Sequence, residues 1–332
     1  MDLSFVINIE QSSDVPKYRQ IIDSVNHVIS RNLLNAGDAL PSVNQVCRDY
    51  KLSRDTVFKA YTLLKEQGVI ESVPNKGYFI AQAIRKVFVF LDTFKAYKEV
   101  LYGSFVKNLP RSIIADVNFH HYNIKIFKKL IEESIGKYTK FVVMPFDNPE
   151  MQTILDLIPA DKLLVIDWNI HAQHCPNKLY QDFGSAVYNG LEEVLHLLRK
   201  YREIVFLYPE YTQHPLETVD YFKKFCENNC LKYSILTNSD DFEVRAGVAY
   251  FSVSDRMLGQ FLSQCRMRKL EPGIDTGIIS YNETPMKQFI YKGITVLSTD
   301  FEMLGKKAAD FVVNDLPMNF CVPTSMIVRE SL

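Results

Sequence analysis

The sequence predicts an α/β protein: an N-terminal winged helix-turn-helix, then a C-terminal domain of two doubly wound parallel α/β lobes around a cleft. Three observations carry that prediction. Residues 1–81 hold three helical stripes followed by a hairpin signal. From Val87 onward, short runs of Val, Ile, Leu and Phe alternate with helical segments, which is the pattern of parallel sheets covered on both faces. At 332 residues the chain exceeds one ordinary domain, and it divides on paper into 1–81, a linker over 82–86, and 87–332.

The first helix is expected over 16–33, where Tyr18, Ile21, Ile22, Val25, Ile29 and Leu33 recur at helical spacing, with Ser13 or Asp14 as cap and Pro16 in the first turn. "NAGDALPS" breaks the pattern. Ser42 and Gln45 then form a capping box opening a short second helix with Val43, Val46 and Tyr50 inward. Ser53 caps a third, in which Val57, Ala60, Tyr61 and Leu64 follow i, i+3, i+4, i+7 before Gly68 stops it. With that stripe inward, Asp55, Phe58, Lys59 and Thr62 face outward and Arg54 flanks them on the first turn. "VIESVPNKGYFIA" reads as strand, turn and strand.

Beyond the linker, strands are expected in "KVFVFL", "SIIADVNF", "KFVVMPF", "KLLVID", "EIVFLY", "KYSILT", "GVAYFSV", "TGIISYN" and "GITVLSTDF". The intervening segments, among them "YKEVLYGSFVKNL", "IKIFKKLIEESI", "SAVYNGLEEVLHLL" and "FEMLGKKAADFV", carry helical periodicity. So many elements require two sheets.

Composition narrows the functional classes. No tract approaches the roughly 20 apolar residues of a membrane span, and the N-terminus has neither a basic leader nor an apolar signal core, so a cytoplasmic chain without membrane attachment is expected. Six cysteines are scattered without a CxxC pair; Cys226 and Cys230, four apart on an expected helix, read as packing residues, and His120 and His121, adjacent on an expected strand, face opposite sides and cannot chelate together. No metal and no cofactor are expected. With 13 glycines and no GxGxxG or P-loop, phosphate-cradling loops are scarce, and no enzymatic activity is expected. The net charge is −1, and residues 1–80 hold nine Lys or Arg against nine Asp or Glu, so any nucleic-acid contact must be local.

"PKYRQI", "GDALPSVNQVCRDYKLSRDTVFKAYTLLKEQGVIE" and "NKGYFIA" resemble the DNA-binding domain of the GntR family of bacterial transcription regulators over about residues 14–81. The LPS turn, the SR-x-TV helix start, the AY-x-x-L stripe and the wing glycine occur in order. Asn44 and the NKG wing depart from common members of the family. The resemblance implies that double-stranded DNA meets Ser42, Asn44, Ser53, Arg54, Asp55, Thr56, Phe58, Lys59, Lys76 and Gly77. Within that set Arg54 suits a guanine edge or a phosphate, Phe58 a thymine methyl or sugar, and Lys76 the minor groove or backbone. Asp55 either accepts from a cytosine amine or caps the helix.

"DTGIISYNETPMKQFIYKGITVLSTDFEMLGKKAADFVV", "LLVIDWN" and "FSVSDRMLGQFL" resemble the effector domain shared by lac-repressor-type regulators and periplasmic sugar-binding proteins. The resemblance covers about residues 86–330 and lacks the helix usually found between "SILTNSDD" and "GVAYF", which predicts a smaller second lobe. It matches ligand contacts onto Phe146, Trp168, Glu217, Ser254, Asn282 and Thr299. Ligands of open parallel sheets bind beyond the strands' carboxyl ends, where Phe94, Asp147 and Asp255 also fall, as do Asp92 and Asp167. Carboxylates and amides suit paired hydroxyls and aromatic faces suit sugar C–H groups, so the implied effector is a monosaccharide. In the plainer reading Asp167 and Asp182 cap helices and Trp168 fills the hinge. The whole chain then reads as a homodimeric repressor on a two-fold operator. Two other readings are a DNA-binding head on an effector-free dimerisation scaffold, and a sugar-modifying enzyme with such a head.

Overall fold

A computed structural model of the chain describes all residues except 1–6, 11, 14, 31–32, 35, 75, 82–84, 95, 111–112, 170–174 and 315. The alternative cap Asp14, the wing Asn75 and most of the expected linker lie outside the described residues; Arg85 and Lys86 already belong to a strand. The chain divides into two compact units, residues 1–86 with the short stretch 111–114, and residues 87–110 with 115–332.

In the first unit α1 (Lys17–Ser30), α2 (Val43–Tyr50) and α3 (Arg54–Glu66) precede the antiparallel hairpin β1 (Ile70–Val73) and β2 (Gly77–Ile80). The caps of α2 and α3 are where the sequence puts them, whereas Ser13 Oγ accepts from Val15 N before α1 begins. Ser42 Oγ accepts from Gln45 N at 3.2 Å and Ser53 Oγ from Thr56 N at 3.2 Å, each satisfying a helix-end donor. Val57, Ala60, Tyr61 and Leu64 are fully buried against Ile21, Val25 and Val46, and Tyr61 Oη donates to Pro41 O at 2.8 Å, tying α3 to the turn before α2. Gly68 leaves α3 at φ +70°, a conformation only glycine adopts without strain. One detail of α1 differs: Leu33 is exposed and Leu34 enters the core, because the helix ends at Ser30 and its phase no longer applies.

The second unit contains two six-stranded sheets. The first lobe uses β3 (Arg85–Leu91), α4 (Ala96–Lys107), β4 (Ile113–Phe119), α5 (Ile124–Ser134), β5 (Lys140–Val143), α6 (Met151–Leu155), β6 (Leu163–Asp167) and β7 (Lys178–Tyr180). The second uses α7 (Ser185–Glu193), α8 (Leu195–Leu198), β8 (Glu203–Leu207), α9 (Glu217–Asn228), β9 (Tyr233–Leu236), β10 (Val248–Ser252), α10 (Asp255–Arg268), β11 (Gly277–Tyr281) and β12 (Thr295–Thr299). The chain then returns through α11 (Phe301–Asn314) and β13 (Asn319–Cys321) to the first lobe and ends the second with β14 (Thr324–Ile327). Sheet orders are β13-β7-β6-β5-β3-β4 and β14-β12-β11-β10-β8-β9. Among the described residues of these sheets only β14 pairs antiparallel, an edge strand on an otherwise parallel array.

Several expectations change. The single helix expected over 185–198 breaks at Val194. As expected, no α-helix lies between β9 and β10, where a 3-10 turn at Ser239–Asp241 stands instead; the chain crosses β8 to reach β10, and both sheets keep six strands. His120 and His121 follow β4 instead of lying on it. Strands β7, β13 and β14 were not expected, because three or four residues carry too little periodicity to register.

Three segments cross between the lobes: 181–184 after β7, Asp300 after β12, and 322–323 after β13. They run side by side, with Val322 N donating to Tyr180 O at 2.8 Å and Asp300 N to Pro323 O at 3.0 Å. Behind them α11 lies on α4 at glycine distance. A Cβ on Gly305 would stand 2.3 Å from Leu101 O and 2.8 Å from Phe105 N, both backbone atoms unable to move aside. Gly305→Ala is therefore expected to push the two helices apart and lower stability by about 1–3 kcal/mol, read as a fall in the urea midpoint at unchanged slope.

Candidate functional sites

The first site is the outward surface of the head. Ser42 and Asn44 are exposed at the start of α2, Ser53, Arg54 and Asp55 at the start of α3, and Lys76 and Gly77 on the hairpin; Thr56 is half-buried. Phe58 is 55% exposed on the second turn of α3. Three of the candidates are already engaged. Lys59 Nζ sits 4.1 Å from the ring centroid of Tyr18 on α1, and the Ser53 and Thr56 hydroxyls lie 2.8 Å apart in a mutual hydrogen bond. Neither Arg54 nor Asp55 has an ion pair or hydrogen-bonding side-chain partner among the described residues. The alternative of Asp55 as a cap is not realised, since Ser53 takes that place.

The second site is a cavity of about 420 Å³ between the lobes, within the usual range for small-molecule pockets. Its first-lobe wall is a cluster built on a buried amine. Lys98, with no exposed surface, donates to Asp92 at the end of β3, and Tyr122 Oη donates to the other oxygen of the same carboxylate. Burial draws the Lys98 ammonium down to about 8, against the pull of Asp167. Tyr122 is itself held at φ +58° by His120, whose Nδ1 accepts from Tyr122 N at 3.2 Å while Nε2 lies 2.9 Å from Met144 O. That pairing makes Nε2 the donor and leaves the ring neutral.

Asp167 closes β6 at φ +75°, with Trp168 N donating to Ile166 O at 2.9 Å; this is the γ-turn that is rare because it is strained. Burial raises its carboxyl above the ordinary range, opposed by Lys98 and by the hydrogen bond from Gln181. Trp168 follows, its ring 6.0 Å from that of Phe183 on the first crossover.

A second buried amine builds the other wall. Lys287, 2% exposed, donates to Tyr281 O at 3.0 Å and Asn282 O at 2.6 Å and pairs with Asp255 at 2.8 Å. All three of its protons are used, which fixes the end of β11 and the first turn of α10 together. Ser254 caps that helix through Met257 N and meets Tyr211 Oη at 3.0 Å. Asn282 stands at φ +61°. Its Oδ1 and the Tyr281 hydroxyl are buried with no hydrogen-bond partner, and both residues line the cavity.

The nine sequence candidates therefore separate. Trp168, Ser254, Asp255 and Asn282 line the cavity. Phe146 does not: it is packed in the first-lobe core, stacked 5.1 Å from His120. Asp147 is exposed after β5 and Phe94 is 52% exposed against Tyr102 and Phe119. Glu217 lies outside the lining on the exposed first turn of α9, beside Gly184. Thr299 is buried at the hinge. Its hydroxyl donates to Gln181 Oε1 at 2.6 Å and lies 2.6 Å from the Thr324 hydroxyl, while Gln181 Nε2 donates to Asp167. A single hydrogen-bonded chain thus runs from the cavity carboxylate through all three crossover regions. The capping reading holds for Asp182, which accepts from Gly184 N and Ser185 N, but Asp167 caps no helix.

Sequence reasoning missed Tyr97, Tyr122, Gln181, Phe183, Tyr211, His214, Arg256 and Tyr281 among the lining residues. Most sit one turn into a helix, inside a loop or on a crossover. No metal-holding group of His, Cys, Asp and Glu occurs among the described residues, nor does any helix long and apolar enough to cross a membrane.

Residues 17–80 match the family described as bacterial regulatory proteins, gntR family. The chain is 31% identical over 84 residues to the HTH-type transcriptional repressor YtrA of Bacillus subtilis, covering 25% of this chain and 65% of that protein. It is 34% identical over 97 residues to the uncharacterized HTH-type transcriptional regulator YhcF of the same organism, covering 29% of this chain and 78% of that one. A LacI family transcriptional regulator from Lactobacillus casei, solved with bound glucose, superposes with a TM-score of 0.62 over 74% of this chain and all of its own length, at 10% identity. That likeness establishes the two-lobed fold.

Burial pushes His120 from its ordinary 6.5 down to about 4. Because the folded value lies below the unfolded one, the stability conferred by its neutral ring is complete above about pH 6.5 and is lost as the pH falls toward 4. By pH 5 the loss is about 2 kcal/mol. Urea midpoints at pH 7 and pH 5 check this: the wild type is expected to lose more between them than His120→Gln, which cannot take up the proton.

Proposed function

The chain belongs to the gntR family of bacterial regulatory proteins, and on that premise we propose that it is a sequence-specific transcription repressor whose operator affinity is set by a monosaccharide-like effector in the inter-lobe cavity. It acts as a cytoplasmic homodimer on a two-fold operator and catalyses no reaction. The observation that carries the effector reading is the pair of buried, unpartnered polar atoms lining the cavity: the Tyr281 hydroxyl, a donor, and Asn282 Oδ1, an acceptor. A neighbouring pair of ligand hydroxyls satisfies both, and leaving either unmet in the bound state is costly.

The rest of the lining agrees with a neutral polyol. Asp92 and Asp255 have their charges balanced by Lys98 and Lys287, and Arg256 lies over the Tyr211 ring at the side of the pocket. Trp168, Phe183 and Tyr97 supply flat apolar faces. The L. casei regulator binds glucose in the same fold, which supports the same ligand class here. A scaffold without effector has no use for strained Asp167 or for orphan polar atoms around a cavity.

Control of DNA requires the effector to bind two arrangements of the lobes with different affinity. Asp167 gives it the means, because the carboxylate that faces the ligand is bonded through Gln181 to Thr299 and Thr324 on the crossovers.

A thermal-shift screen of monosaccharides on the full chain is expected to find a compound that raises the melting temperature and changes operator affinity in a gel shift. No shift with any sugar, together with unchanged operator binding, sinks the effector reading. Tyr281→Phe removes the orphan donor. Its melting temperature without ligand is expected to stay the same or rise, while affinity for the hit sugar, measured by calorimetry, falls on the order of tenfold.

A further inference from the structure

We propose that the head reads its operator through an adjacent methyl and amine in the major groove: Phe58 packs on a thymine C5-methyl group, and Asp55 accepts from the N4 amine of a cytosine one base pair away. The inference rests on the DNA-binding reading above and names what that surface recognises.

The inward stripe of Val57, Ala60, Tyr61 and Leu64, all fully buried, fixes the opposite face of α3 without freedom to rotate. On that face most of the polar groups are already committed. Ser53 and Thr56 bond to each other and to the helix end, and Lys59 is drawn back over the Tyr18 ring. On the first two turns, what remains for base edges is Arg54, Asp55 and Phe58. Phe58, 55% exposed on an otherwise polar helix face, is not part of the head's core cluster among the described residues.

Residues three apart on a helix are neighbours, with Cβ atoms about 5–6 Å apart, a spacing that spans adjacent base pairs stacked about 3.4 Å apart. In the major groove only thymine offers a methyl group; adenine and cytosine both offer an amine donor, but adenine's sits beside the N7 acceptor, which repels a carboxylate, so cytosine suits Asp55. Asp55 also works by exclusion. A carboxylate without an ion-pair partner among the described residues is repelled by the acceptor edge of guanine and by phosphate, so it rejects a G at the cytosine's place. The even charge balance of residues 1–80, nine basic against nine acidic, leaves little sequence-independent attraction, and discrimination at the bases must carry more of the occupancy.

The test uses the full chain to select operators from a random double-stranded DNA library, followed by gel shifts on the selected duplex. Replacing thymines one at a time by deoxyuridine removes only the C5-methyl group. At one position in each half-site, deoxyuridine is expected to weaken wild-type binding on the order of tenfold and to leave Phe58→Ala, which binds both duplexes alike, unaffected. Asp55→Asn is expected to relax the preference for the neighbouring cytosine. Both side chains are exposed, so unchanged melting temperatures establish that the variants are folded. A clear selected operator that tolerates deoxyuridine everywhere, or that Phe58→Ala binds with the wild-type methyl preference, overturns this inference and leaves DNA recognition standing. Failure to enrich any sequence overturns the DNA reading itself.

Discussion

The cavity depends first on a buried ammonium. Lys98 leaves water entirely, a step that costs several kcal/mol unless its charge is met by an anion and its protons by acceptors. Asp92 supplies the anion, and in doing so it is oriented for Tyr122, which is oriented in turn by His120. His120 can perform that task only as a neutral ring, because Nδ1 must accept from a backbone amide. The first-lobe wall is thus a sequence of groups each fixed by the next, ending in the aromatic core around Phe127 and Phe146. Taking away the amine leaves a buried carboxylate with no counter-charge and a tyrosine with no fixed partner.

Lys287 repeats the device on the opposite wall with different partners. It satisfies two strand-end carbonyls and one carboxylate, and so joins β11 to the start of α10. Between the two rigid walls lie the less satisfied groups: Asp167 in a strained turn, the Tyr281 hydroxyl and Asn282 Oδ1. Charge-paired walls around a few unsatisfied atoms suit the effector site proposed above, since a ligand there would have little to order. Asp167 differs from the others in having a route out. Its partner Gln181 begins the first crossover, and Thr299 and Thr324 carry the hydrogen bonding across the other two.

The head was legible almost residue by residue. Its helices are set by local rules, in which a serine cap, a 3.6-residue stripe and a glycine stop each act within a few residues. Strands β3, β5, β8, β10, β11 and β12 were legible as apolar runs, because burial on both faces leaves them few polar positions. The cavity was read less well. The rule that sites lie beyond strand ends found Asp92, Asp167, Trp168, Ser254, Asp255 and Asn282, yet it placed Phe146 and Thr299 alongside them. A residue after a strand can turn toward the cavity, the core or the hinge, and local sequence does not distinguish the three.

By itself, then, the sequence determined the order and type of the longer elements, the division into head and lobes, and the outward face of α3, because each follows from periodicity and capping over a few turns. Only the tertiary structure decided which polar groups converge on the cavity and which are already spent. Lys98 meets Asp92 six residues away, but Gln181 meets Thr299 across 118 residues and Ser254 meets Tyr211 across 43. It also decided that Lys59 turns back onto Tyr18 while Phe58 stays exposed. Such pairings are set by how distant segments pack, and a pattern that repeats every two or 3.6 residues carries no record of them.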